Sequence, residues 1–275
     1  MTFEVTGSIL AFVVVLMALG FLGSFVAGLL GIGGAIVMIP LLLYVPPFLA
    51  VGKLGVKTAA GITMVQVLVA GVSGTLAHRR HRAVDPDLGL VGGLAMASGT
   101  FLGATLSRYA DEWWLLLVFA LMVTAAAALM VVPVEVLIPP SDSGFLQPER
   151  YSRGLTALVT GGVGVAAGLV GAGGAFLVVP FLLVVVRVPM RVTIGSSLAI
   201  VSLSAATGVV GKLVTGQIVY GPALAVAAAA IPGAQLGAAV SRRVAPVRLK
   251  LALAIVIVII GLRVWIDVLG GARPS

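Results

Sequence analysis

Apolar residues along this chain fall into long unbroken blocks, each ended by a short polar or glycine-rich stretch. A helix that crosses a membrane needs roughly 20 consecutive apolar residues, and the blocks are of that order. They predict ten helical segments, at about 7–30, 34–51, 57–77, 87–107, 113–133, 154–171, 174–188, 191–213, 219–241 and 247–267. A transmembrane β-barrel would show short alternating segments, whereas these are continuous. The expected fold class is therefore all-α, a polytopic helical membrane protein. The second and seventh segments stand apart. Each follows a Gly-x-Gly-Gly break and carries a proline, Pro40 or Pro180, inside its apolar run. Two readings stand for them: full spans, or half-helices that turn back at membrane depth.

The pattern also repeats. Residues 27–40 read AGLLGIGGAIVMIP and residues 167–180 read AGLVGAGGAFLVVP, with eight of fourteen positions identical at an offset of 140. GTFLGATLSR at 99–108 matches GAQLGAAVSR at 233–242 in six of ten positions, at an offset of 134, because the second copy has six fewer residues between Pro180 and Gly195. The chain thus divides into a first transmembrane repeat at 1–133, a second at 154–267 and a tail at 268–275. The linker at 134–153 contains the polar, turn-rich stretches PPSDSG and QPER. Duplicated halves with glycine-broken apolar segments at matching places point to the binding site of a secondary transporter. Five segments per half is an odd number, so the second repeat is expected to be inverted relative to the first.

Charge gives the orientation. Alternating loops place Arg79, Arg80, Arg82, Arg150, Arg153, Arg187, Arg191, Arg242, Arg243, Arg248 and Lys250 on one side, and Lys53, Lys57, Arg108, Lys212, Arg263 and Arg273 on the other. Eleven against six makes the first side cytoplasmic, with both termini outside. Met1–Gly7 carries Glu4 and no Lys or Arg, so the positive leader of a cleavable signal is missing and the first span is expected to stay.

Composition narrows the function. Hydrophobic residues make up 60% of the chain and charged residues 9%, against about a quarter charged in soluble domains. The net charge of +8 is spread over short loops, which sets topology and presents no basic face to nucleic acid. The absence of cysteine removes disulfides, thiolate metal sites and thiol catalysis. The residues imply no metal and no cofactor. The nine acidic residues all fall in loops or near predicted helix ends, so the buried carboxylate relay common in proton-driven carriers is not evident, and a cation would find only neutral dipoles.

Candidate chemistry begins at Gly31-Ile32-Gly33-Gly34 and Gly171-Ala172-Gly173-Gly174. Irregular backbone survives in a membrane only inside protein or beside a polar cavity. A helix restarting at Gly34 or Gly174 would point free N–H groups and a positive dipole end at one spot, a natural anion site. The competing reading is close helix packing through small residues. Thr63 and Gln66 on the third segment, and Ser196 and Ser197 on the eighth, are candidates to join that site. Thr63 and Ser197 are equivalent under the 134 offset. Most intramembrane hydroxyls bond their own helix, whereas Gln66 and Gln235 carry amides that need partners and suit an oxyanion. Lys212 occupies the position equivalent to His78 near a helix end; it either snorkels to the interface or attracts anions toward the site.

The G-x-x-G-x-G-G-x(5)-P element in both halves, with the later GTxLG-type helix, resembles the sulfite exporter TauE/SafE family (DUF81) over essentially the whole chain. That resemblance implies a multi-pass carrier of the bacterial plasma membrane moving sulfur-containing anions such as sulfite, sulfoacetate or related organosulfonates. The residues fit an alternating-access anion transporter whose partners are a small anionic substrate and the lipid bilayer. An anion channel is the rival reading. A membrane enzyme would need Ser98, the one loose nucleophile candidate, beside His78 or His81; HExxH and paired intramembrane carboxylates are absent. A purely structural scaffold would not need glycine breaks in both halves.

Overall fold

The computed structural model describes residues 3–5, 8–79, 84–131 and 151–270. Ten helices are found among the described residues: α1 Ile9–Leu30, α2 Ala35–Phe48, α3 Val56–Arg79, α4 Pro86–Leu106, α5 Glu112–Val131, α6 Arg153–Val170, α7 Ala175–Val184, α8 Met190–Val214, α9 Tyr220–Ser241 and α10 Pro246–Leu269. Each coincides with one predicted segment to within a few residues. The chain is a polytopic helical membrane protein: eight of these helices are long and apolar enough to cross a bilayer. The exceptions are α2, with 14 residues, and α7, with 10. They rise about 21 and 15 Å, short of the ~30 Å hydrocarbon layer, so neither helix is long enough by itself to cross it. The seventh ends at Val184 rather than 188; Arg187 just beyond has φ 63, a left-handed conformation no helix continues through. The linker expected at 134–153 falls outside the described residues except for 151–153, as does the tail beyond 270, and so do Arg80, His81 and Arg82.

One element was not anticipated. β1 (Phe3–Val5) pairs antiparallel with β2 (Gly52–Leu54), Phe3 opposite Leu54. The start of α1 and the exit of α2 therefore lie at the same end of the molecule, and α1 with α2 forms a hairpin bent at the first glycine break. The same end holds the start of α3 and the end of α4, where Lys57 Nζ donates to the Arg108 carbonyl at 3.2 Å. At the opposite end Asp85 caps α4 by accepting from Leu88 N at 2.9 Å, while its own N–H donates to Ser196 Oγ on α8. There too the Tyr151 hydroxyl donates to Asp87, which also takes two bonds from the Arg153 guanidinium, at 3.1 and 2.9 Å. Burial and the Asp87 carboxylate raise the Tyr151 phenol above its usual range, so it remains a donor and ties the entry of α6 to that of α4.

The tightest helix contacts run between the halves. α1 lies along α9 and α4 along α6, while α3 and α8 pack on each other at the centre. Each pairing maps onto another, or onto itself, when α1–α5 are exchanged with α6–α10. Glycine makes these contacts possible. A Cβ at Gly28 would sit 2.1 Å from the Ala234 carbonyl oxygen, and one at Gly237 2.0 Å from that of Phe25. At the equivalent places, Gly168 meets Thr100 O at 2.2 Å and Gly103 meets Val165 O at 2.0 Å. Lipid tails are as apolar as Leu, so these helices associate through close van der Waals packing rather than through a hydrophobic driving force. The glycines of the 99–108 and 233–242 motif are packing residues.

That assignment has a built-in control. Gly103→Ala and Gly237→Ala force a methyl into a backbone carbonyl and should lower stability by about 1–3 kcal/mol. Gly162 and Gly221 have nothing within 4 Å of an added Cβ, so alanine there should leave stability unchanged or raise it by up to about 1 kcal/mol through helix propensity. Thermal unfolding of the detergent-solubilised variants separates the two pairs.

Candidate functional site

Both predicted breaks exist and share one backbone solution. α1 ends at Gly31, in the left-handed region at φ 75, with its N–H bonded to Ala27 O at 2.8 Å. Gly33 and Gly34 are also left-handed, at φ 68 and 78, before α2 starts. The second copy repeats the pattern at Gly171, Gly173 and Gly174, with φ 76, 61 and 66. Three left-handed residues in four is a conformation glycine adopts without penalty and other residues at roughly 1–2 kcal/mol each. The consequence is a set of unpaired donors. Among the described residues no acceptor bonds the amides of Gly33, Gly34, Ala35 and Ile36, nor those of Gly173, Gly174, Ala175 and Phe176, and neither restarted helix has a side-chain cap.

The two breaks meet. A Cβ on Gly33 would lie 3.2 Å from Ala175 Cβ, 3.3 Å from Val201 and 3.4 Å from Val67, while one on Gly173 would lie 2.5 Å from Val67. Val67 and Val201 are repeat equivalents at the middles of α3 and α8, so the break regions abut where those central helices cross. Ser197 reaches this place: its hydroxyl contacts the Gly31 carbonyl at 2.7 Å and Ile194 O at 3.0 Å. Gln66 does as well. Its Nε2 donates to Ser24 Oγ at 2.8 Å and lies 2.9 Å from the Cβ position of Gly34. Thr63, one turn before Gln66 on α3, is fully buried. Its Oγ1 has no partner, and neither do Thr58 Oγ1 and Gln66 Oε1.

Three expected residues stand elsewhere. Ser196 accepts from the Asp85 amide at the end of the bundle, which makes it a tie between α4 and α8. Gln235 is exposed and lines an opening of about 300 Å³ with Ser73 and Arg242. Lys212 does not snorkel. It is fully buried, and its Nζ donates to Ser107 Oγ at 2.7 Å, Gln217 Oε1 at 2.8 Å and the Leu169 carbonyl at 3.4 Å. Leu169 precedes Gly171 by two residues, so this amine is wrapped in neutral acceptors beside the second break. Its repeat equivalent, His78, has no described side chain.

Sequence reasoning missed Ser24, Ser107 and Gln217. Ser107 left a trace, the Ser-Arg pair shared by both copies of the second motif; Ser24 and Gln217 left none outside the fold. Ser98 gives its hydrogen bond to Leu94 O, in its own helix, at 2.8 Å, the ordinary role of a serine in an apolar helix. Among the described residues no three His, Asp or Glu side chains gather as a metal site.

The ten helices among the described residues fall into two matching sets, each broken by the same glycine turn within the bundle, and proteins similar to this one are membrane transporters. Residues 16–264 match the family model for the sulfite exporter TauE/SafE, and the chain belongs to that family. It is 27% identical to the probable membrane transporter protein YunE of Bacillus subtilis over 90% of this chain and 95% of that protein. It is 33% identical to a probable membrane transporter protein of Xylella fastidiosa over 67% of this chain and 68% of that one. YdhB of Bacillus subtilis, also a probable membrane transporter protein, is 25% identical over 88% and 96%. No solved structure matches the chain.

The burial of Lys212 has a direct chemical readout. Lys53 is exposed, so an amine-acylating reagent should modify it in the folded, detergent-solubilised protein while Lys212 reacts only after unfolding. Peptide mass mapping reports both, and modification of Lys212 in the folded protein would place it at the interface after all.

Proposed function

We propose that this protein is a secondary transporter that exports small sulfur-containing anions, such as sulfite, sulfoacetate or related organosulfonates, across a bacterial plasma membrane by alternating access. The observation that carries this reading is the meeting of two uncapped half-helix starts at the centre of the bundle. Their free amides and dipoles favour an anion by ~0.3–1 kcal/mol each when exposed and up to ~2 kcal/mol when partly buried. Several such weak contacts replace part of an oxyanion's hydration without holding it too tightly for release. The surrounding charges agree in sign. The acidic residues with described side chains lie at helix starts or in loops, and the Lys212 amine is buried next to the second break. Family membership and the transporter names of the relatives support the same class, and the printed family description supports sulfite as the first substrate to try.

The reading includes an inverted relation between the halves, with both termini outside. It is supported by the odd number of segments in each half, by the excess of Arg and Lys at the end holding Arg153, Arg187, Arg242 and Arg243, and by the exchange of helix pairings between halves. Because the chain has no cysteine, single replacements test it cleanly. Tyr109→Cys should react with an impermeant thiol reagent from outside intact cells, and Arg243→Cys only after the membrane is opened. The reverse labelling would turn the molecule over.

Flux in proteoliposomes tests the substrate. Wild-type protein should exchange sulfite or sulfoacetate across the bilayer. Lys212→Ala should slow that flux, because it leaves Ser107 Oγ, Gln217 Oε1 and the Leu169 carbonyl beside the second break without their shared donor. Gly34→Val and Gly174→Val should nearly abolish it, because each forces a β-branched residue into a left-handed conformation. Sodium or ammonium flux with no sulfite or sulfonate flux would overturn the substrate class.

A further inference from the structure

The two breaks share a backbone but not a set of side chains, and the difference points to one occupied site rather than two. Against the first break stand Ser24 and Gln66. Their equivalents at the second are Gly164 and Ile200, neither of which has a polar side chain. Where α4, α6 and α8 pack on the side of the second break, two hydroxyls satisfy each other. Thr100 Oγ1 lies 2.5 Å from Ser204 Oγ and donates to the Gly164 carbonyl at 3.2 Å. Beside the first break the Gln66 carboxamide is only half satisfied: its Oε1 is buried and unpartnered. An amide in hydrocarbon with one end bonded and the other empty is costly unless something arrives to use it.

We infer that the transported anion binds at the start of α2, held by the free amides of Gly34, Ala35 and Ile36 and by the Gln66 carboxamide, with Ser24 fixing that carboxamide. This inference rests on the anion-carrier reading above and makes it one-sided. The chemistry follows from the ambivalence of Ser24. A hydroxyl both donates and accepts, so the Gln66 amide can turn end for end. Ser24 then donates to Oε1, and Nε2 takes the place where Oε1 now stands without a partner, presenting its N–H groups to an oxyanion there. A cation is disfavoured at the same place because the positive end of the α2 dipole points there. The approach is also one-sided. Ser73 lies seven residues beyond Gln66 on the same face of α3, and with Gln235 and Arg242 it lines the 300 Å³ opening at the arginine-rich end. At the equivalent positions of the other half Gln235 is replaced by Phe101. Gln235 thus stands at this opening rather than at the site.

Binding of sulfite, under anaerobic conditions, and of sulfoacetate to the purified full-length protein tests this by titration calorimetry. One anion per chain is expected. Gln66→Leu should weaken binding by at least about tenfold, the scale of a lost hydrogen bond to a charged group, and Thr100→Val by less than about threefold. Where Gln66→Leu does not fold, judged by thermal unfolding, Gln66→Asn and Ser24→Ala take its place with the same expectation. Two anions per chain, or equal losses in the Gln66 and Thr100 variants, would overturn the one-sided site while leaving the carrier reading intact. Sodium binding lost in Gln66→Leu, with anion binding retained, would make this a cation site and overturn the inference. Failure of wild-type protein to bind or transport either anion would remove the carrier reading and this inference with it.

Discussion

Close approach of helix backbones is the constraint on which the rest of this structure depends. In a bilayer nothing squeezes apolar helices together, so contact must come from shape, and here it comes from glycine lying against carbonyl oxygen along α1–α9 and α4–α6. Those two seams fix the depth of α1 and α6 in the bundle. The depth in turn decides where Gly31 and Gly171 fall, and hence that both breaks reach the crossing of α3 and α8. A methyl group at Gly28 or Gly103 would push apart helices whose positions the site inherits.

Backbone polarity is the second requirement, and it works in the opposite sense. A membrane helix exists to hide its amides, yet four at each break are left without an acceptor. They are tolerable because they sit inside protein, under the cover of α3 and α8, rather than against lipid. The same enclosure concentrates their effect: with little water nearby, a few aligned N–H groups produce a stronger field than they would at a surface.

The helices were legible because a bilayer imposes length and apolarity together, and both can be read along a chain. The glycine breaks were legible because duplication wrote them twice. The roles of the polar residues were less so. Thr63 and Ser197 are equivalent in sequence, yet one is unpartnered and the other bonds Gly31, and nothing in their own neighbourhoods distinguishes them. Lys212 near a helix end looks identical whether it snorkels or turns inward; the difference is made by Ser107 and Gln217, one of them from another helix. The glycines at 99–108 and 233–242 were noticed as a repeat, but only the distance to a carbonyl on a neighbouring helix tells that they are for packing. The β1–β2 ribbon escaped notice because three-residue strands carry almost no periodicity.

The crossing of contacts between halves has a mechanical consequence. The strongest seams join α1 of the first half to α9 of the second, and α4 of the first to α6 of the second, with α3 leaning on the former pair and α8 on the latter. Neither repeat can rock as a unit against its twin without tearing both seams. The contacts group these helices into two mixed bundles, α1–α3–α9 and α4–α6–α8, meeting along the α3–α8 crossing where the breaks lie. In this molecule the units of duplication and the units of packing are different sets of helices, each bundle being stitched from both copies.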